Sequence, residues 1–371
     1  LRIEKLRLTN FRNFAEATVM FGPRRNLILG ANAQGKTNIL EAIHILGVGR
    51  SHREPRDANL MRFGEAYYRI EGTFEHIGVR TTIEIACGDE GKRIRINGKE
   101  ARPSELVGLS GVVISSPDDM DLVKGAPSFR RRFLDIAISQ MSLEYLKGLQ
   151  QYVKVLSQRN MLLKSSQLRG AGPVDTGPWD AGLVRWGASV VAARLEFLQE
   201  LATPVQANFN AIAGAESRLA LDYDPRGYEA EAGDDITCLL REALRSTKEA
   251  ECARGYTLVG PHTDDIRILA DGRDLRRFGS EGESRTAVLA LRCAEVTAIE
   301  RKTGRFPIVL LDDVFAELDD ARTQALTALI TGYDQIILAS SRRPPRGAGE
   351  VTLIKVENGR VDQDDQTREG R

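Results

Sequence analysis

The chain carries 371 residues with 52 basic and 52 acidic side chains, and therefore no net charge. That length suffices for about two or three domains with a sizeable core, and neutrality removes composition as an argument for nucleic acid, so any DNA surface has to be local. The four cysteines (Cys87, Cys238, Cys252, Cys293) lack metal-type spacing, no apolar run approaches about 18 residues and no secretory segment opens the chain, so a cytosolic chain with no membrane association is expected.

Residues 1–21 alternate, with Ile3, Leu6 and Leu8 and then Val19 and Phe21 apolar, which predicts two strands around the turn Asn10–Phe14. Arg12 in that turn has two readings, a solvated turn residue or a contact to a nucleotide bound downstream. Leu27 to Leu29 form a short buried strand. Gly30, Ala31, Asn32, Ala33, Gln34, Gly35, Lys36 and Thr37 then fit G-x-x-x-x-G-K-[ST], and Asn38 to Leu46 continue as a helix. A strand, a glycine loop and a helix start in that order make a phosphate cradle. Backbone N–H groups and the helix N-terminus face the anion. Lys36 reaches the β- and γ-phosphates and the Thr37 hydroxyl ligates Mg²⁺. Asn38 borders the same cradle. An ATP site with Mg²⁺ is expected.

Residues 47–56 bring Arg50, His52, Arg53 and Arg56 into one polar loop, open to phosphate or DNA binding and equally to plain solvation. Tyr67 to Asn97 read as β-structure. Gly111 to Ser115 are a further strand, ending in Ser116-Pro-Asp-Asp119, whose carboxylates either cap the next helix or serve the Mg²⁺ site. Helical periodicity then runs from Phe129 to about Lys164 and from Trp179 to about Ala202, divided by a linker over Ser165–Pro178, with Pro204 ending or bending the second stretch. Arg130, Arg131, Arg132, Lys147, Lys154, Arg159, Lys164 and Arg169 face only Asp135 and Glu144. Such a stretch either follows a phosphate backbone or is a set of solvated faces. No heptad is sustained enough for a coiled coil.

β-Character returns near Tyr256 with Leu258 to Asp265, a strand over Ile266–Leu269 and the turn at Asp271-Gly272. Phe278 to Thr286 then lead into a helix carrying Val288, Leu289, Leu291, Cys293 and Val296. Ser280 and Gly282 at that helix start make a second anion-binding signature. Phe306 to Asp313 is a buried strand ending in two carboxylates, the form of a Walker B. Asp312 would hold Mg²⁺ through water and Asp313 would orient or deprotonate the attacking water. Ala316-Glu-Leu-Asp319 follows as a D-loop. Gln335 to Ala339 are a last core strand, Ser340 or Ser341 sits where a γ-phosphate sensor would lie, and a polar tail is expected after Glu357.

This order predicts an α/β P-loop NTPase of the ABC-ATPase-head type with an inserted helical arm. The blocks are 1–125 (P-loop lobe), 126–254 (helical arm) and 255–371 (signature, Walker B and D-loop). In that class two heads close face to face, and the signature of one meets the γ-phosphate held by the other.

At this level of detail the chain resembles the RecF family of bacterial recombination mediators over nearly its whole length. The residues that carry the likeness are Leu8-Thr-Asn-Phe-Arg-Asn13, the loop with Asn38-Ile-Leu-Glu-Ala42, and Ser51-His-Arg53. Ser116-Pro-Asp-Asp119, Leu122-Val-Lys-Gly125, Arg130-Arg-Arg-Phe-Leu-Asp135 and Ser157-Gln-Arg-Asn160 extend it, as do Gly260-Pro-His-x-Asp-Asp265 and Leu311-Asp-Asp-Val314. Thr263 stands where the family usually has Arg, and Glu281 and Glu283 replace common glutamines. The resemblance implies an ATP-dependent homodimer with weak, DNA-stimulated, Mg²⁺-dependent ATPase activity. It also implies binding to single-stranded, gapped and double-stranded DNA, with RecR and RecO helping RecA displace single-strand-binding protein in repair and the SOS response. Arg130, Arg131 and Arg132 with the basic helices are the expected DNA surface. The alternative is an ABC-type ATPase subunit of a membrane transporter. A chromosome-structuring ATPase of the SMC kind would need hundreds of heptad residues between its motifs.

Overall fold

The computed structural model describes residues 1–169, 174–214, 216–342, 351–363 and 368–369. Contacts divide it into two units, one of residues 1–119, 208–216 and 289–371, the other of 120–207 and 217–288.

In the first unit β1 (Arg2–Phe11) and β2 (Phe14–Met20) form the expected hairpin, its turn made by Arg12 in the left-handed region at φ 54°. Next come β3 (Arg25–Leu29), α1 (Lys36–Val48), β4 (Tyr67–His76), β5 (Val79–Gly88), β6 (Gly91–Ile96), β7 (Lys99–Glu100) and β8 (Val112–Ser115). Strands β2-β1-β4-β5-β6-β7 pair as one antiparallel sheet. Alternation shows which face it buries: Tyr68, Ile70 and Phe74 on β4 and Ile83, Ile85 and Cys87 on β5 point into the core. α1 is apolar nearly all round because it is covered on both sides. It packs on β4 and β5 of that sheet and on β8 and further strands of a second, largely parallel one.

The chain then passes through the second unit, beginning with α2 (Met120–Lys124), α3 (Pro127–Met141), α4 (Leu143–Arg169) and α5 (Gly177–Ala213). Pro127 sits in the first turn of α3, where its missing N–H costs nothing. Ser142, whose hydroxyl accepts from Tyr145 N, breaks the first expected helix in two. Pro204 does not end α5, which runs on to Ala213. Of the expected linker, residues 170–173 lie outside the described residues. β9 (Leu219–Asp224), α6 (Ile236–Arg254), β10 (Asp265–Ala270), β11 (Arg273–Asp274), α7 (Leu275–Phe278) and α8 (Glu281–Thr303) follow, the last assigned to the first unit from Leu289 onward. Tyr152, Leu183, Val191, Leu240 and Leu244 build an apolar core from α4, α5 and α6.

Residues 255–288 belong to this unit rather than to the block that holds the Walker B strand. The cause is a strand pairing: β10 runs antiparallel to β9 from Asp265↔Asp224 to Ala270↔Leu219. The Gly260-to-Asp265 segment supplies the unit's polar centre. Arg194 is buried and donates to the Pro261 carbonyl and to Asp135, while Asp264 accepts from the hydroxyls of Tyr223 and Tyr228. Thr263 turns back, its hydroxyl donating to the Gly260 carbonyl.

Returning to the first unit, the chain adds β12 (Ile308–Asp312), α9 (Asp320–Ile330), β13 (Ile336–Ser340), β14 (Val351–Glu357), β15 (Arg360–Asp362) and β16 (Arg368–Glu369). The second sheet has the order β15-β14-β3-β13-β12-β8, with β16 on β14, and β14, β3, β13, β12 and β8 are mutually parallel. Every residue of β8, β12 and β13 is buried, the continuous apolar pattern of a covered parallel sheet. The tail expected after Glu357 instead pairs through β15 for as far as it is described, and residues 364–367 and 370–371 lie outside. Among the described residues no helix is long and apolar enough to cross a membrane.

Candidate nucleotide site

Parallel pairing aligns the carboxyl ends of β3, β12 and β13: Leu29 lies beside Ser340 and Asp312 beside Ala339. The Gly30–Thr37 loop, Asp313 and Ser341 therefore leave one edge of the sheet together, where ligands bind in open α/β sheets. Gly30 is obligatory there, because a Cβ would lie 2.3 Å from the Val356 carbonyl oxygen. Ala33 and Gly35 take positive φ, 65° and 117°, and curl the loop around its own centre.

Asn13 staples the loop from the β1–β2 turn. Its Nδ2 donates to the Gln34 carbonyl at 2.8 Å and its Oδ1 accepts from Asn38 at 2.8 Å. Arg12 is not a solvated turn residue. It makes a bidentate pair with Glu41 of α1, at 2.9 and 2.8 Å, and donates to the Asn59 carbonyl. Fully buried Glu41 also accepts from Ser51, so the Ser51-His-Arg53 segment is tied to the same helix.

Lys36 is buried, and its Nζ donates to the carbonyls of Gly30 and Ala31 at 2.9 and 3.0 Å. An ammonium has three donors, so one remains for a phosphate oxygen. The Thr37 hydroxyl donates to Asp312 Oδ2 at 2.8 Å, while buried Asp312 Oδ1 has no hydrogen-bond partner among the described residues. Burial raises the Asp312 carboxyl above its ordinary range, and the charge of Asp313 pushes the same way. A half-satisfied buried carboxylate beside a hydroxyl fits a divalent cation. Among the described residues no group of three or more His, Cys, Asp or Glu could hold a metal. Such an ion would rely on Thr37, Asp312, phosphates and water, as Mg²⁺ commonly does.

Asp313 is left-handed at φ 48°, a conformation that costs a non-glycine residue of order 1 kcal/mol or more. It is held there from both ends. Its N–H donates to the Ala339 carbonyl at 2.9 Å, and its Oδ1 accepts from Ser341 N at 3.0 Å. Ser340 Oγ accepts from Arg342 N. Asp319 caps α9, accepting from Arg322 N at 2.8 Å. Asp118 pairs with Arg53 at 3.3 Å, and Asp119 is tied up by Arg292 at 2.6 and 3.0 Å, so of the two open readings of this pair Asp119 takes the structural one.

In the second unit, Ser280 and Glu283 form a reciprocal cap on α8. Ser280 Oγ accepts from Glu283 N at 3.2 Å and the Glu283 carboxylate accepts from Ser280 N at 2.9 Å. The backbone bond to Ser280 holds the Glu283 carboxyl below its ordinary range. Ser-x-x-Glu is readable in the sequence as a capping box, a signal the family comparison of glutamine with glutamate obscured. Glu281 pairs with Arg285.

Within the arginine triplet, the expectation for Arg130 requires a correction. Arg130 is 3% exposed, paired with both carboxylate oxygens of Asp265 at 2.7 and 2.8 Å, and donates to the carbonyls of Leu122 and Gly125. Arg131 donates to the Asp264 carbonyl, and Arg132 is only partly exposed. Spacing gives no sign of this: the downstream partners of Arg130 and Arg131, Asp265 and Asp264, lie more than 130 residues away and turn Arg130 inward. Arg159 is likewise buried, between Asp180 and Glu251. Among the members of the basic stretch whose side chains are described, Lys147, Lys154 and Lys164 on α4 are exposed.

The family model for the RecF/RecN/SMC N terminal domain matches residues 2–360. DNA replication and repair protein RecF of Halalkalibacterium halodurans is 37% identical over 97% of this chain and 98% of its own length. The chain belongs to the RecF family. RecF of Bacillus velezensis is 38% identical over 96% and 98% of the two chains, and RecF of Geobacillus kaustophilus is 40% identical over 88% and 89%. Among solved structures, the recombination mediator RecF with ATP in the RecFOR pathway superposes with a TM-score of 0.89 at 33% identity, covering 98% of this chain and 97% of that one. The corresponding RecF–ATPrS structure gives 0.87 at 34%, covering 98% of each. A Smc head bound to the ScpA winged-helix domain gives 0.55 at 17% identity, covering 97% and 96%, which places RecF chains and SMC heads in one fold.

Proposed function

We propose that this RecF-family chain is an ATP-gated DNA-binding repair protein that closes as a homodimer around two nucleotides and hydrolyses ATP weakly, faster on DNA. The observation that carries the reading is the Thr37–Asp312 pair, with Asp312 Oδ1 buried and without a partner among the described residues, beside a complete phosphate loop. Backbone amides of residues 30–37 would receive the phosphates, Lys36 would turn a donor to the β- and γ-phosphates, and Asn13 with Asn38 would hold the loop open. Thr37 and Asp312 would hold Mg²⁺, which neutralises phosphate charge when bound. Asp313, locked by Ser341 N, keeps one carboxylate oxygen to orient the attacking water and accept its proton. Ser280 and Gly282 would meet the γ-phosphate of the second copy, with Asp319 at the closing seam. By function we assign residues 1–125 and 255–371 to the ATPase head and 126–254 to its arm; residues 255–288 carry the signature while packing with the helices of the second unit.

DNA would lie on the exposed lysines of α4. Lys147 to Lys164 span about 26 Å of helix, the reach of several phosphates, and backbone charge makes binding nearly blind to sequence. RecR and RecO would act with it to load RecA at gaps, in the cytoplasm. Family membership favours this over the transporter subunit. Steady-state ATP hydrolysis with and without gapped duplex tests it: turnover should rise with DNA and vanish in Asp313→Asn. Turnover indifferent to DNA would refute it.

A further inference from the structure

The backbone just ahead of Ser280 has its own support. α7 spans four residues and cannot hold its own C-terminus by helix cooperativity. Lys124, the last residue of α2, extends its ammonium to that end. Its Nζ donates to the Leu275 carbonyl at 2.7 Å and to the Gly279 carbonyl at 2.6 Å. The Leu275 carbonyl also accepts from Gly279 N at 3.1 Å, so amide and ammonium share one acceptor. Gly279 is needed for this packing, because a Cβ there would lie 2.7 Å from the Leu275 oxygen.

The Gly279 carbonyl and Ser280 N belong to one peptide plane. Lys124 holds the oxygen of that plane and the Glu283 carboxylate accepts from its nitrogen at 2.9 Å, so the plane is fixed from both edges. An exposed lysine ordinarily leaves its head in water, since gathering so flexible a stem forfeits rotamer entropy. A plain C-terminal cap on α7 would need only the Leu275 carbonyl. The second bond reaches past the helix, into the peptide that presents Ser280.

We infer that Lys124 is a positioning residue for the signature: it orients the 279–280 peptide and sets one positive charge beside the helix start that receives the γ-phosphate of the second copy. This rests on the ATP-closed dimer proposed above. Lys124 acts through Ser280 and takes no part in the chemistry.

The test uses the full chain as wild type, Lys124→Met and Lys124→Arg. Four quantities are read: affinity of the dilute single chain for a fluorescent ATP analogue, melting temperature, ATP-driven association by sedimentation, and hydrogen exchange over residues 280–284. Lys124→Met should keep nucleotide affinity and melting temperature, weaken association at least about tenfold and speed exchange at residues 280–284. Lys124→Arg should restore most of both. Unchanged association and exchange in Lys124→Met would overturn the inference, as would a loss that tracks a fall in melting temperature and nucleotide affinity. Should the wild type itself stay monomeric with ATP, the dimer reading fails by that result, and exchange at residues 280–284 still decides for or against Lys124.

Discussion

Replacing Arg130 by Met removes a guanidinium that is almost fully buried and leaves Asp265 without its bidentate partner, and the carbonyls of Leu122 and Gly125 without a donor. Breaking a buried pair from one side costs about 3–5 kcal/mol, because the remaining charge stays desolvated. For a unit of roughly 150–250 residues each kcal/mol lowers the melting temperature by about 2–4 °C. A fall on the order of 6–20 °C is therefore expected by calorimetry. Arg130→Lys should recover little of it, since an ammonium cannot reproduce the two parallel bonds. At a temperature where the variant is folded, the salt dependence of its DNA affinity should match the wild type, because a buried, paired guanidinium releases no counterion. A melting temperature within a degree of wild type, together with a flatter salt slope, would refute this reasoning and return Arg130 to the DNA surface.

Neutralising Lys147, Lys154 and Lys164 to Ala should do the reverse: near-normal stability, and a slope of log affinity against log salt shallower by up to about 3, read by anisotropy titrations from low to moderate salt. His262 gives a pH signature. Its Nε2 must donate to the Thr257 carbonyl, so Nδ1 accepts from Tyr152 at 2.6 Å, and burial holds the ring's pKa below its ordinary value of 6.5. The unfolded chain then takes up the proton first. Stability from this residue is full above the unfolded value and lost as pH falls through about 6.5 toward the lower folded value. Melting temperature followed from pH 7.5 downward should drop more steeply for the wild type than for His262→Gln, and equal slopes would contradict the assignment. Glu283→Gln keeps an acceptor for Ser280 N but removes a carboxylate from the signature, so ATP-driven association should tighten. Sedimentation showing weaker association would mean that the charge itself is required.

The parts of this molecule legible in the sequence are those whose partners are close along the chain or whose backbone demands are special. The phosphate loop is written in its glycines and in the strand and helix on either side, and the Walker B strand in its unbroken apolar run. Charged residues whose partners are distant were not legible. Arg12 finds Glu41, Arg130 finds Asp265 and Arg194 finds Asp135, and a run of arginines gives no sign of which will be turned inward. The Gly260-to-Asp265 segment belongs with the helical unit because β10 pairs with β9, a choice made by tertiary register rather than by local propensity. Asn13 and Lys124 stand in family-like segments, Leu8–Asn13 and Leu122–Gly125, yet the role of each depends on a carbonyl of a distant loop that needs a donor.

ATP-driven closure of two copies is the step on which the proposed function turns. Molecular mass in solution, measured with ATP, Mg²⁺ and a gapped duplex for the wild type and for Lys36→Met, tests it most directly. The mass should double only with ATP, stay single in Lys36→Met, and the doubled species should retain DNA. A wild-type chain that binds ATP yet stays monomeric and leaves the DNA free would contradict it.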